Sequence, residues 1–234
     1  MKMKDKKALQ IEAKKKHLEN LRASRRKQSK LTRKKPELVE NPAILIVCEG
    51  KNTETSYFKH FRLASAKIFA IGEGYNTISL IRRAEQLSKE NAYDEVWVVF
   101  DKDDFKAQDF NNAILIAKGL NFKVGYSNQA FEYWLLLHLS DHQGGGMHRK
   151  DYCSTINHLL KEFSIEYDGE GSKLIDDDFF DVLNGVDKKT KMPRISLAID
   201  RAERNYSKFS HKSPATEESS TTVFLLAKEL IKYI

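Results

Sequence analysis

Four acidic side chains stand where metal chemistry is most easily placed. Glu49 directly follows the apolar run Ala43-Ile44-Leu45-Ile46-Val47-Cys48, and Asp101, Asp103 and Asp104 follow a second run, Glu95-Val96-Trp97-Val98-Val99-Phe100. Short β-branched runs bounded by polar residues read as strands buried on both faces. In an open parallel sheet the functional crevice lies beyond the carboxyl ends of the strands, which is where both sets of acids are expected. Carboxylates gathered at neutral pH repel one another and stay ionised only when a cation compensates them. Hard oxygen donors select Mg²⁺ or Mn²⁺, ions that keep waters and bridge to phosphates. Asp101 and Asp103 are two apart, so both can face the crevice in a turn, with Asp104 as a further ligand or outer acceptor. A lone strand-end acid is often only solvated charge; two at corresponding positions of one sheet favour a site. Lys51 and Lys102, beside these acids, could contact phosphate oxygens.

The elements that must hold these groups follow from periodicity. Asn52 or Thr53 can cap a helix carrying Tyr57, Phe58 and Phe61, and a strand is expected near Lys67–Ile71. A helix over Thr77–Lys89 puts Leu80, Ala84 and Leu87 on one face, and one over Ala107–Lys118 does the same with Phe110, Ile114 and Ala117. Phe122–Tyr126 reads as another strand, after which Ser127-Asn128 would open a very apolar helix through His138. Strands alternating with helices predict a doubly wound parallel sheet. Beyond Gly144-Gly145-Gly146, helices are expected near Asp151–Phe163, Ile175–Leu183, Ile195–Tyr206 and Thr222–Tyr233, with a loop at Ser210–Thr222. The expected organisation is a basic arm and linker over 1–42, an α/β domain over 43–140 and a helical extension over 141–234.

The net charge of +7 is unevenly spread. Residues 1–35 carry 15 of the 40 basic and 3 of the 33 acidic residues, net +12, leaving 25 basic and 30 acidic elsewhere, net −5. Such an arm, with Arg25, Arg26, Lys27, Arg33, Lys34 and Lys35, is a candidate for salt-sensitive contact with nucleic acid, although a solvated tail has the same composition. Helix-forming residues from Lys4 to Arg33 leave only the thin apolar stripe Ile11, Leu18, Leu21 and Leu31. No apolar stretch is long enough for a membrane span, and no apolar segment follows the charged start as in a signal peptide, so the expected compartment is the cytoplasm. Cys48 and Cys153 form no disulfide framework and are expected to be reduced.

Three segments in order carry a family resemblance. Ile44-Leu45-Ile46-Val47-Cys48-Glu49-Gly50-Lys51-Asn52-Thr53-Glu54 with Tyr57-Phe58, then Val98-Val99-Phe100-Asp101-Lys102-Asp103, then Ser127-Asn128-Gln129-Ala130-Phe131-Glu132-Tyr133-Trp134-Leu135-Leu136-Leu137-His138 resemble the RloB-like family, placed in the Toprim superfamily. The likeness covers about 43–139 well and the later helices loosely. It implies a Toprim-like fold and a Mg²⁺-dependent endonuclease, with Asp101 and Asp103 holding the metal and Glu49 sharing it or acting as general acid or base. It also implies a second-ion role for Glu132, for which a helix-capping acid is the plain alternative. The family further implies an effector of anti-phage abortive infection, working with an AAA/ABC-type ATPase encoded nearby and aimed at RNA such as tRNA in preference to DNA. A non-catalytic subunit that binds nucleic acid or the ATPase is the rival reading, and a homo-oligomer is left open.

Other signals carry less. His138, His142, His148 and Cys153 do not have the spacing of a recognised zinc set. Gly72-x-Gly74 is too short for a dinucleotide fingerprint, and no phosphate-binding loop ending in Gly-Lys-Ser/Thr is present. Trp97 and Trp134 are expected in the core. Arg194, Arg201 and Arg204 recur near one helical face and read as solvated charge or as nucleic-acid backbone contacts.

Overall fold

The computed structural model describes residues 12–20, 42–70, 77–103 and 106–234. Residues 1–40 and 41–234 form separate units. In the first, a helix α1 over 12–20 is exposed along its whole length. The candidate nucleic-acid contacts Arg25, Arg26, Lys27, Arg33, Lys34 and Lys35, and the candidate ligand Asp104, lie outside the described residues.

The second unit is built on a five-stranded sheet in the order β2-β1-β3-β4-β5. Its strands are β1 (Ile44–Cys48), β2 (Ala66–Ala70), β3 (Glu95–Asp101), β4 (Lys123–Asn128) and β5 (Ser220–Thr221). β1 pairs parallel to β2 and β3, and β3 parallel to β4, as the alternating sequence requires. The antiparallel β5 is a departure: the Ser/Thr stretch expected to be a loop pairs Ser127 with Thr221 and Asn128 with Ser220.

The helices are α2 (Thr53–Lys59), α3 (Thr77–Ser88), α4 (Ala107–Gly119), α5 (Glu132–Leu139), α6 (Arg149–Leu160), α7 (Asp177–Asn184), α8 (Arg194–Tyr206) and α9 (Val223–Leu230). Strand alternation divides the core in two. Leu45, Val47, Val98, Phe100, Val124 and Tyr126 meet Leu80, Ile81 and Ala84 of α3 and Phe110, Ala113 and Ile114 of α4. Ile44, Ile46, Trp97 and Val99 meet Tyr57 and Phe58 of α2 and Trp134 of α5, with the helices after residue 140 packed into the same cluster. The sheet is thus buried on both faces, as its unbroken apolar strands demand. The helices over 141–234 are not a detached body, because they complete this second core and supply β5.

One boundary differs from the sequence reading in a way that matters for the site. Ser127 and Asn128 do not cap a helix; they extend β4 and are fully buried. Cross-strand bonding to β5 outweighs their capping tendency, with Ser127 Oγ 3.1 Å from Thr221 Oγ1. α5 therefore starts only at Glu132.

Candidate active site

β1 and β3 are neighbours, and the sheet grows outward from them in opposite directions, to β2 on one side and β4 on the other. Such a reversal opens a crevice beyond the carboxyl ends of the two strands. Glu49 leaves β1 there, its N–H donating to the Val99 carbonyl at 2.9 Å, and Asp101 is the last residue of β3. The two expected acids therefore share the switch point of the sheet. Asp103 follows with a left-handed backbone, φ 42°, its N–H held by the Gln129 carbonyl at 2.9 Å. Glu132 opens α5 and is 7% exposed. The Tyr167 hydroxyl donates to Glu132 Oε1 at 3.0 Å, so the Thr53 hydroxyl 3.2 Å away acts as donor to the same tyrosine oxygen.

A fifth acid belongs to the group although the sequence reading did not single it out. Glu54, in the first turn of α2 and 6% exposed, folds back over Gly50 and accepts from the Gly50 N–H and from its own. A Cβ at position 50 would overlap this carboxylate, so glycine there lets Glu54 keep its place. The available signal was Glu49-Gly50 followed by an acid four residues later; a helix-start acid is too common to be read alone.

The electrostatics record an under-compensated cluster. Burial pushes Glu49 up to about 7, aided by the charges of Asp103 and Glu54 against a hydrogen bond from the Asp101 N–H. Burial likewise raises Glu54 to about 7, with Glu132 and Asp103 adding repulsion. Asp101 is held well above the carboxylate range by burial and by Glu54, Asp103 and Glu132. Its Oδ2 accepts from the Phe131 N–H at 3.0 Å, whereas its Oδ1 is buried without a hydrogen-bond partner among the described residues. The residue as a whole is partly exposed, so this concealment is specific to the carboxylate oxygen. Arg149, the first residue of α6, makes an ion pair with Asp103. Burial opposes its charge, but Asp103, Asp101 and Glu132 together raise its pKa. Among the described residues no three His, Cys, Asp or Glu groups stand as a ready ligand set.

The remaining candidates fall elsewhere. Lys51 is exposed in the turn before α2, and Lys102 Nζ donates to the Asp103 carbonyl at 3.2 Å. His138 is buried, its Nδ1 bonded to Leu183 O at 2.8 Å and its Nε2 to the Tyr57 hydroxyl at 3.2 Å, so neither nitrogen is left for a metal. Of the three arginines of α8, Arg194 and Arg201 are structural instead of solvated, whereas Arg204 is exposed as a solvated charge would be. Arg194 donates to Val182 O, Arg201 to Leu137 O at 2.7 Å, and Arg204 pairs with Asp141. Trp97 and Trp134 lie in the core, and both cysteines are free. A surface pocket of about 240 Å³, lined by Ile46, Phe58, Phe61, Arg62 and Leu230 among others, contains none of the crevice carboxylates.

Fold and site together define an α/β protein with acidic side chains gathered at the switch point of a mostly parallel sheet. The chain belongs to the RloB-like protein family, whose model matches residues 44–230 of 234. That match runs from β1 to the end of α9 and so takes in the C-terminal helices as well as the three motifs. No curated protein and no solved structure matches the chain.

Proposed function

We propose that this protein is a Mg²⁺- or Mn²⁺-dependent endonuclease of the Toprim type. The observation that carries the reading is Asp101: a carboxylate at the switch point, opposed by the charges of Glu54, Asp103 and Glu132, with one oxygen buried and unbonded among the described residues. Of the buried side-chain atoms without a partner among the described residues, this is the one carboxylate oxygen, and a cation is the ligand that would compensate it among other acids. The donor set fits, because all five groups are hard carboxylate oxygens. Asp101 and Asp103 would hold the ion, with Glu49 and Glu54 next to them and Glu132 near a second position.

When bound, the ion supplies Lewis-acid activation of water and neutralises charge on the phosphodiester. The chain's own groups supply the rest. Glu49, leaving β1 at the switch point, would either share the ion or take a proton from the attacking water and return one to the leaving oxygen. The Phe131 N–H fixes the Asp101 rotamer, and the Tyr167 hydroxyl fixes Glu132, so both carboxylates are oriented before substrate arrives. The arm over residues 1–35, net +12, would gather nucleic acid by its backbone charge without reading sequence. A role as toxic effector in anti-phage defence beside a partner ATPase, with RNA such as tRNA cut in preference to DNA, rests on the family resemblance.

The test is cleavage of tRNA and of DNA by purified full-length protein with Mg²⁺. Glu49→Gln and Asp101→Asn should each lower the rate at least about thousandfold while circular dichroism stays unchanged. Full activity in both variants would sink the catalytic reading. Binding of nucleic acid or ATPase without any cleavage by the unaltered protein would favour the non-catalytic subunit.

A further inference from the structure

We propose that Arg149 is the phosphate-binding residue of the crevice, parked on Asp103 until a divalent cation takes Asp103 over. This rests on the metal-dependent reading above and adds a residue to it that neither the sequence motifs nor the family match assigns. Arg149 reaches the crevice from a distance of 46 residues along the chain, as the opening residue of α6. The His148 imidazole caps that helix by accepting from the Lys150 N–H at 3.3 Å, which fixes where position 149 leaves the backbone. Among the described residues, Arg149 is the one cationic side chain in hydrogen bond with a crevice carboxylate, and Asp103 is its one such partner.

A guanidinium has five N–H donors in a planar fork that matches two phosphate oxygens, so a single bond to Asp103 leaves most of its capacity unused. Its side chain is 32% exposed and that of Asp103 30% exposed, so neither is locked in the core. A divalent ion on Asp103 would compete for the same oxygen and repel the guanidinium at short range. The side chain then turns away from the carboxylate while its helix keeps it at the rim, where a phosphodiester bridging to the ion presents its other oxygen. The same residue thus compensates the acids when the crevice is empty and grips substrate when it is loaded.

The experiment uses full-length protein and two probes. Mn²⁺ is titrated alone by calorimetry, and dimethyl phosphate is then added to the Mn²⁺-loaded protein and followed by paramagnetic relaxation of its ³¹P signal. Arg149→Gln should bind Mn²⁺ about tenfold more tightly and dimethyl phosphate about tenfold more weakly. Arg149→Lys should keep near-normal Mn²⁺ affinity and lose only part of the phosphate binding. Arg149→Met, which keeps the aliphatic stem, repeats the first result if the glutamine variant does not fold. A merely structural arginine would weaken both probes on removal, and unchanged or weaker Mn²⁺ affinity in folded Arg149→Gln or Arg149→Met overturns the proposal. Loss of Mn²⁺ binding only in Asp101→Asn, with Arg149→Gln identical to the unaltered protein, would leave the metal site standing and remove Arg149 from it. No Mn²⁺ binding by any form would remove the metal site and this role together.

Discussion

The carboxylate crevice and the arginine seam of α8 are both dense in like charge, and they treat it in opposite ways. Along α8, each of Arg194, Arg201 and Arg204 has an acceptor: the carbonyls of Val182 and Leu137, and the carboxylate of Asp141. In the crevice, Arg149 pairs with Asp103 alone of Glu49, Glu54, Asp101, Asp103 and Glu132, and among the described residues an oxygen of Asp101 has no partner. Satisfied charge holds α8 to α5 and α7; unsatisfied charge in the crevice is what supports the proposed ion site. The contrast also corrects the sequence reading of Arg194 and Arg201, because helical spacing does not reveal that neighbouring helix ends offer them carbonyls.

The sharpest way to break this comparison is Asp101→Asn. Removing a repelled buried charge should leave the melting temperature level or raised, while Mn²⁺ affinity falls about a hundredfold or more in calorimetry. A large loss of stability would mean that Asp101 serves the fold. Arg201→Ala should do the reverse, lowering urea-unfolding stability by about 2 kcal/mol through its lost bonds to the α5 end while leaving Mn²⁺ affinity within about twofold.

A smaller effect is expected from pH. Glu49 and Glu54 are raised to about 7, so in the metal-free protein their neutral forms favour the fold. That contribution is complete below the unfolded carboxylate range near 4.5 and is lost as pH rises through 7. Thermal stability without metal should therefore decline between pH 5 and about 8, and saturating Mg²⁺ should reduce the decline, since the ion binds the ionised forms. Equal slopes with and without Mg²⁺ in parallel melts would show that these acids do not meet the ion. The mildest change is Gly50→Ala. Its methyl displaces Glu54, and a severalfold fall in Mg²⁺ affinity with the fold retained is the outcome that places Glu54 in the site.

Much of the fold was legible because unbroken apolar strands and amphipathic helices each have a period, and together they specify a sheet covered on both sides. The placement of Glu49 and Asp101 at neighbouring strand ends was legible for the same reason, since a strand end in a parallel sheet is itself an address. Glu54 and Arg149 were not. Glu54 joins the site only because the chain bends at Gly50, and Arg149 only because α6 docks 46 residues after Asp103. Tyr167, which holds Glu132, arrives from still further along. β5 escaped notice because two residues, Ser220 and Thr221, are too short to show an alternation.

That dipeptide strand has a consequence for how the molecule is made. β4 would be the open edge of the sheet without it, and the hydroxyls that join them are 94 residues apart. A chain growing from the ribosome finishes four parallel strands and all five crevice acids long before Ser220 emerges. Until then the bonding groups at the end of β4, beside Ser127 and Asn128, are open to any extended segment of a neighbouring nascent chain. Closure of so long a loop is slow, and it comes almost last. The vulnerable interval in the life of this protein is therefore the synthesis that separates β4 from β5, and chains ended before Ser220 should aggregate through the edge that β5 covers.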